Sequence, residues 1–326
     1  MKTDYMIIAG SSGGHILPAI SLINILAKTE KKIVFITNQN GVIYTDLINN
    51  NNCLIKIIDK SNRFKILIIQ IIFCSNYFIN NKNLRVIGFG GFISIIPLFL
   101  GRIFNFFLKK NIIYMHEQNI IYGLANKINY IFSNYSFISF PKKILGKKEI
   151  YVGNFFKKIF LSKYTQKISK IKILLIGGSG GSVELNNKLI DYIKNIPLVE
   201  RDNFEFNVQI PNSYPAIREQ YKKVSSNVLF FSFINDLKFE NYDLIFSRCG
   251  SGSMFEILYF TNKVYFHPHL HSRDMHQKFN KKFFIDKMQL KDEIPNYKKL
   301  LDHKSFYFNQ FINPFSIQKI SSFIKK

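Results

Sequence analysis

The strongest constraint on the fold is a pattern that the chain uses twice. A short apolar run leads into a cluster of glycines and then into a helix-like segment, at residues 6–15 (MIIAGSSGGH) and at residues 173–181 (ILLIGGSGG). A third stretch, residues 85–92 (RVIGFGGF), has the same shape. A strand that turns tightly into a helix is the opening of a βαβ unit, so the pattern predicts parallel sheets.

Further β-rich runs extend this prediction to two doubly wound α/β domains. A chain of 326 residues exceeds what one hydrophobic core usually serves. We expect an N-terminal domain over residues 1–158, a C-terminal domain over 159–311, and a terminal helix at about 312–326 that packs back on the first domain. The runs that alternate with helix-like segments are residues 33–37, 112–116, 135–139, 204–210, 228–232, 243–247 and 263–267.

Glycine loops at helix starts suit phosphate groups, because backbone N–H groups approach an anion closely and the helix dipole favours negative charge. Neither strong loop has the Lys-Ser/Thr pair of a nucleotide hydrolase, and GSSGGH differs from GxGxxG. Each loop alone is equally consistent with a tight turn. Two such loops in two similar domains favour a ligand held in the cleft between them.

The charge of the chain makes an anionic partner a candidate. Lys and Arg number 45 against 21 Asp and Glu, a net charge of +24. With 34 Phe, no Trp and frequent Asn tracts, part of this excess reflects A- and T-rich codons. The basic residues are not organised with aromatic residues, zinc-finger spacing or basic heptads, so we predict no nucleic-acid partner.

Two apolar stretches, residues 64–79 and 92–108, raise the question of a membrane. Lys65 and Gln70 interrupt the first and Pro97 and Arg102 the second, so buried core helices are the favoured interpretation. The alternative is an apolar patch with a basic rim, between about residues 63 and 82, that docks on an anionic membrane leaflet.

Cysteine and histidine usage predicts a reducing cytoplasm and no metal cofactor. The three cysteines lack metal-ligand or CxxC spacing, and no secretory signal is visible. The histidines near Pro268 lack a cysteine partner. These residues are Cys53, Cys74, Cys249, His267, His269, His271 and His276.

Polar clusters follow three of the predicted strands, at the edge where open α/β sheets bind ligands. They are residues 116–119 (HEQN), 247–253 (SRCGSGS) and 274–277 (DMHQ). In the second cluster we expect Ser253 to cap a helix and Glu256 to lie in its first turn.

In order and spacing, these motifs resemble the MurG family over roughly residues 5–285. The family is that of UDP-N-acetylglucosamine:N-acetylmuramyl-(pentapeptide) pyrophosphoryl-undecaprenol N-acetylglucosaminyltransferase. The resemblance implies the GT-B glycosyltransferase fold, two Rossmann-like domains facing across a cleft. The matching segments are GSSGGHILPAI (10–20), HEQN with GLAN (116–126), GN (153–154), GGSGG (177–181), FIND (233–236), SRCGSGSMFE (247–256) and DMHQ.

The resemblance also implies an activity. N-acetylglucosamine (GlcNAc) would pass from UDP-GlcNAc to the MurNAc 4-hydroxyl of undecaprenyl-pyrophosphoryl-MurNAc-pentapeptide, converting lipid I to lipid II. The transfer would be inverting, with no covalent intermediate, obligatory metal or other cofactor. The enzyme would be peripheral, on the cytoplasmic face of the cell membrane and its anionic inner leaflet, and would serve cell wall biogenesis, cell shape and cell division.

Residue roles follow from the matching positions. His15 is the candidate general base, or else a residue that orients the first loop. His116 and Glu117 form a second candidate pair, as orienters. The substrate-binding set is Ser12, Gly13 and Gly14 (acceptor diphosphate), Asn119 (donor sugar), Lys157 and Ser179 (UDP phosphates), Ile234 (uracil), Ser253, Glu256 (ribose) and Gln277 (GlcNAc hydroxyls).

The sequence departs from the family pattern at several positions. Lys157 stands where an arginine is expected, which keeps the charge but loses the bidentate fork. Ser11 replaces a glycine and Ser12 a threonine. Alternatives therefore stay open: a diacylglycerol-type lipid glycosyltransferase, a UDP-sugar 2-epimerase, or a decayed, non-catalytic UDP-sugar-binding protein.

Overall fold

The computed structural model describes most of the chain, in two compact units. Unit 1 comprises Met1–Lys157 and Asn313–Lys326, and unit 2 comprises Lys158–Ile312. The described residues are 3–10, 12–49, 51–58, 63–107, 110–155, 170–178, 181–211, 214–232, 237–269, 275–300, 312 and 315–325.

Unit 1 is built on a seven-stranded sheet in the order β3-β2-β1-β4-β5-β6-β7, in which every neighbouring pair is parallel. Its strands are β1 (Tyr5–Ile8), β2 (Ile33–Asn38), β3 (Cys53–Ile58), β4 (Arg85–Gly88), β5 (Ile112–Glu117), β6 (Tyr135–Ile138) and β7 (Glu149–Tyr151). Its first four helices are α1 (Gly13–Leu26), α2 (Arg63–Asn80), α3 (Ile95–Phe107) and α4 (Leu124–Phe132).

Unit 2 repeats the plan with five parallel strands in the order β10-β9-β8-β11-β12. The strands are β8 (Ile171–Ile176), β9 (Phe204–Gln209), β10 (Val228–Phe231), β11 (Leu244–Arg248) and β12 (Val264–His267). The helices are α5 (Val183–Lys194), α6 (Pro215–Val224), α7 (Ser251–Phe260) and α8 (His276–Met288).

The first strand reads as a continuous apolar run because both faces of its sheet are covered. Tyr5 and Ile7 lie in one core cluster, while Met6 and Ile8 lie in a second one. A half-exposed strand would instead alternate apolar and polar residues. The final helix, α9 (Ser316–Lys325), returns to unit 1, where Ile317, Ile320 and Ile324 join the cluster that contains α1.

The structure confirms the predicted fold class of two parallel α/β sheets. All seven β-rich runs form strands, but two further strands, β3 and β7, were not predicted. The first is apolar at every position except Lys56, so its signal was present but was not used, whereas the second is only three residues long.

The interpretation of residues 64–79 as a core helix is wrong for one face of α2. Cys74 and Phe78 are buried, but Ile68 is 50% and Ile72 65% exposed. Gln70 lies inside, where its amide donates to the Ile93 carbonyl. Among the described residues, no helix combines the length and apolarity needed to cross a membrane.

Candidate functional site

The loops that follow β1 and β4 flank the point where the strand order of unit 1 reverses. Ligands of open α/β sheets bind at such switch points, beyond the carboxyl ends of the strands. The two loops touch, because Gly10 N–H donates to the Gly90 carbonyl at 3.0 Å. Gly91 has a φ of 82°, and a Cβ on Gly10 would lie 3.0 Å from the Gly91 Cα. Glycine is therefore required at this crossing.

The His15 side chain lies where these loops meet, in the first turn of α1. Its Nδ1 is 3.0 Å from the Ser12 hydroxyl oxygen. A Cβ on Gly90, whose φ is 103°, would come within 2.8 Å of the other ring nitrogen, Nε2. The imidazole is therefore packed against backbone, and the third glycine stretch belongs to the same site as the first.

The HEQN segment reaches the first loop through Gln118, since a Cβ on Gly14 would lie 2.6 Å from the Gln118 amide nitrogen. His116 is only 2% exposed, and its Nε2 is 3.1 Å from the Ser139 hydroxyl. Burial, together with the nearby His15, lowers the pKa of His116 to about 3. His116 is thus a neutral imidazole at pH 7.

Glu117 uses its buried carboxylate as a hydrogen-bond acceptor for the loop that follows it. One oxygen accepts from the Asn119 backbone and side-chain amides at 2.9 and 3.1 Å. The other accepts from Gly123 N–H at 3.2 Å and from Asn126 at 2.9 Å. Burial raises the pKa of Glu117, and these bonds oppose that rise. Both oxygens of Glu117 are thus used to hold this loop, and Asn119 is one of the residues that they hold; the orienting role of Glu117 stays a prediction.

In unit 2 the strand order reverses between β8 and β11, and the loops after these strands carry the second predicted site. The Ser182 hydroxyl caps α5 by accepting from Leu185 N–H at 3.1 Å. A Cβ on Gly178 or Gly250 would have no atom of the described residues within 4 Å. Among the described residues, the backbone therefore has room beside Gly178 and Gly250, whereas a Cβ on Gly181 would lie 3.0 Å from Pro211. Room beside the backbone suits the approach of an anion.

Helix α7 starts earlier than expected, so two details of the 247–256 cluster were wrong. Gly250 is the N-cap, Ser253 is the third helical residue, and no side chain of the described residues caps the helix. Glu256 consequently lies in the second turn rather than the first. Several serines in this segment were possible N-cap residues, but the N-cap of α7 is Gly250.

Sequence reasoning did not assign a role to Arg248, the last residue of β11. Its guanidinium, 13% exposed, lies 3.2 Å from a Glu184 carboxylate oxygen and donates to the Pro268 carbonyl at 3.1 Å. His267 Nε2 is 3.7 Å from the same Glu184 oxygen, and burial followed by Arg248 lowers the pKa of His267. An arginine two positions before Gly250, at the end of a predicted strand, was the available signal.

The remaining predicted residues are divided between the two units. Gln277, in the first turn of α8, accepts from His269 N–H at 2.8 Å. Unit 1 brings together Ser12, Gly13, Gly14, His15, His116, Glu117 and Asn119, and unit 2 carries Ser253, Glu256 and Gln277. Lys157, Ser179 and Ile234 lie outside the described residues. Within the described part of the chain, no group of three or more His, Cys, Asp or Glu residues is placed to hold a metal.

Comparison with known proteins matches both units to one family. Residues 5–138 match the glycosyltransferase family 28 N-terminal domain, and residues 172–303 match its C-terminal domain. The chain belongs to glycosyltransferase family 28. The predicted enzyme class, a sugar-transferring enzyme, is thereby confirmed.

Curated relatives of this family 28 chain carry the name UDP-N-acetylglucosamine–N-acetylmuramyl-(pentapeptide) pyrophosphoryl-undecaprenol N-acetylglucosamine transferase. One, from Wolbachia pipientis subsp. Culex pipiens, is 26% identical and covers 85% of this chain and 81% of its own. Another, from Leptospira interrogans, is 29% identical and covers 86% and 82%. The predicted resemblance is confirmed.

Solved structures agree on the fold. Acinetobacter baumannii MurG superposes with a TM-score of 0.72 at 19% identity, over 99% of each chain. Neisseria meningitidis UDP-GlcNAc 2-epimerase, bound to UDP-GlcNAc, gives 0.61 at 13% identity, over 99% of this chain and 100% of its own. The two-domain fold is therefore shared with both transferases and epimerases.

Proposed function

We propose that this chain transfers GlcNAc from UDP-GlcNAc to the MurNAc 4-hydroxyl of undecaprenyl-pyrophosphoryl-MurNAc-pentapeptide in peptidoglycan synthesis. The observation that carries the proposal is the His15 cluster. At the switch point of unit 1, two glycine loops, an imidazole and a carboxylate-held Asn119 meet at one sheet edge. The names of the curated relatives support the choice of donor and acceptor.

In the proposed reaction His15 is the general base. As the acceptor 4-hydroxyl attacks the anomeric carbon of GlcNAc, its proton passes to the imidazole. The new glycosidic C–O bond forms, the bond from the anomeric carbon to the diphosphate oxygen breaks, and UDP leaves with that electron pair. A single displacement inverts the anomeric configuration. General-base catalysis of this kind contributes about 10²- to 10⁴-fold.

In this proposal unit 2 binds the donor, as the resemblance to the family implies. The loop after β8 would hold the diphosphate with backbone N–H groups and Ser179, helped by the dipole of α5 and by Lys157. A carboxylate accepts two hydroxyls well, which suits Glu256 to ribose. Gln277 and Ser253 would meet the sugar side, and Ile234 would meet uracil through its backbone. In unit 1, Asn119 would contact the donor sugar.

A transfer assay with purified full-length protein tests this function. Radiolabelled UDP-GlcNAc is offered with the MurNAc-pentapeptide lipid, with diacylglycerol, or alone. We expect label only in the first lipid. Label in diacylglycerol would support the lipid glycosyltransferase alternative, and acceptor-independent conversion of the donor would support an epimerase. UDP binding without turnover would identify a non-catalytic protein.

The site of action proposed here is the anionic inner leaflet, which carries the acceptor. The outer face of α2 exposes Ile68, Ile69 and Ile72, and Lys82 is also exposed beyond the end of that helix. Such a surface suits a membrane interface. Reversing the charge of Lys65 and Lys82 should weaken binding to anionic vesicles in sedimentation. Unchanged binding would assign the basic excess to codon bias. Roles in cell shape and division would follow from the product.

A further inference from the structure

We propose that Ser12 is a positioning residue that selects the tautomer of His15, so that Nδ1 carries the proton and Nε2 keeps the lone pair. This inference rests on the proposed function and deepens it. Ser12 would then act through the imidazole, in addition to or instead of contacting the acceptor diphosphate. The supporting contact is the 3.0 Å separation of the Ser12 hydroxyl oxygen and His15 Nδ1.

A serine at the position of Ser12 would ordinarily accept a hydrogen bond from a backbone N–H in the first turn of the helix. Ser12 is the N-cap residue of α1, with the extended backbone (φ −89°, ψ 143°) typical of a cap, yet its hydroxyl makes no capping bond. Ser182 has the same place before α5, and its hydroxyl does accept from a helix N–H. The first loop has therefore exchanged a stabilising cap for a contact with the imidazole.

Backbone packing holds the ring in this contact. Added Cβ atoms on Gly90 and Gly10 would lie 2.8 Å from Nε2 and 3.5 Å from Nδ1, respectively, so the missing side chain of Gly90 leaves room beside Nε2. With the ring confined in this way, the nitrogen that carries the proton is coupled to the direction of the hydrogen bond at Nδ1.

The chemistry of the reaction fixes the direction of this hydrogen bond. A neutral imidazole has one donor and one acceptor nitrogen, whereas a serine hydroxyl can play either part. If Ser12 donated to Nδ1, Nε2 would carry the hydrogen and no lone pair would remain for the acceptor hydroxyl. A base at His15 therefore requires Nδ1–H to donate to Ser12. The adjacent His116 is neutral and adds no like charge when His15 takes up a proton.

The test compares Ser12→Ala with the conservative Ser12→Thr. We expect kcat to fall about tenfold in Ser12→Ala, the value of one lost hydrogen bond, with KM for the lipid acceptor within about twofold of wild type. Ser12→Thr should restore kcat because it keeps a hydroxyl. A rise in KM with unchanged kcat would overturn the proposal, since it would mean that the hydroxyl only binds ligand.

Nitrogen-15 NMR of the histidine side chains supplies a readout that does not depend on substrate. His15→Gln identifies the His15 signals. We expect the Nδ1–H tautomer in wild type and in Ser12→Thr, and a shift toward Nε2–H in Ser12→Ala. An identical tautomer in wild type and Ser12→Ala would overturn the proposal. Wild-type protein with the Nδ1–H signal but no GlcNAc transfer would instead overturn the proposed function.

Discussion

The two glycine loops look alike in sequence but differ in how their glycines pack and how the following helices begin. In the first loop the glycines are crowded: a Cβ on Gly10 or Gly14 would meet another loop at 3.0 or 2.6 Å. In unit 2, a Cβ on Gly178 or Gly250 would meet no atom of the described residues within 4 Å. The first loop uses glycine so that three chain segments can meet. The second loop is crowded at Gly181, where a Cβ would lie 3.0 Å from Pro211, but not at Gly178.

Their helix starts differ in the same sense. Among the described residues, the first turn of α1 has no acidic side chain and no side-chain capping hydrogen bond. The hydroxyl of its N-cap residue, Ser12, contacts His15 instead. Helix α5 has a capping Ser182 and an acidic Glu184 that pairs with Arg248. The first helix start therefore places a serine hydroxyl against an imidazole, whereas the second places a capped, acidic first turn against an arginine. Similar motifs do not imply similar chemistry.

The largest expected effect comes from changing the reactive group of the first loop. His15→Ala should lower kcat about 10²- to 10⁴-fold, because the general base is lost. UDP binding, measured by calorimetry, should stay near wild type because unit 2 is untouched. Near-normal turnover would exclude His15 as the base.

Glu256→Ala is the matched change in unit 2 and should give the opposite pattern. Loss of a charged hydrogen-bonding group costs about 1.5–3 kcal/mol, so the affinity for UDP should fall about 10- to 150-fold. A variant that kept the affinity for UDP but lost turnover would place Glu256 with the reacting atoms.

We expect an intermediate effect on folding stability when the pH is lowered, because His116 must then bind a proton. Its pKa is about 3 in the folded protein and near 6.5 when unfolded. Between these values the unfolded chain binds more protons, so stability is full above pH 6.5 and falls by about 1.4 kcal/mol per pH unit as pH decreases. From pH 7 to 5 the contribution of His116 should fall by about 2 kcal/mol.

Hydrogen exchange of the strand amides of unit 1, at pH 7 and 5, measures this loss. The raised pKa of Glu117 works in the opposite direction on acidification, so the comparison of wild type with His116→Gln is the decisive one. The loss should be smaller by about 2 kcal/mol in the variant. Equal pH dependence in both proteins would refute the assignment of the acid sensitivity to His116.

The sequence predicted strands and loops well because buried parallel strands are continuous apolar runs, as at residues 6–9 and 173–176. It did not predict that Gly90 lies against His15, since a contact across 75 positions depends on which strands are neighbours. The burial of Glu117 and the pairing of Arg248 with Glu184 depend on tertiary packing in the same way. Local pattern predicts where a polar residue lies along a strand or loop, but not which atom it contacts.

The smallest expected effect tests whether Glu184 competes with the donor at the second loop. Its carboxylate lies in the first turn of α5 and forms an ion pair with Arg248. It therefore places negative charge where the diphosphate is proposed to bind. Glu184→Gln should lower KM for UDP-GlcNAc about two- to fivefold, the value of one charge near a helix terminus. Asp191→Asn is the matched control, because Asp191 pairs with exposed Lys194 at the other end of the same helix. It should leave KM unchanged. Equal changes of KM in both variants would show a general effect of charge. A higher KM in Glu184→Gln alone would show that the ion pair between Glu184 and Arg248 holds the loop in the conformation that binds the donor.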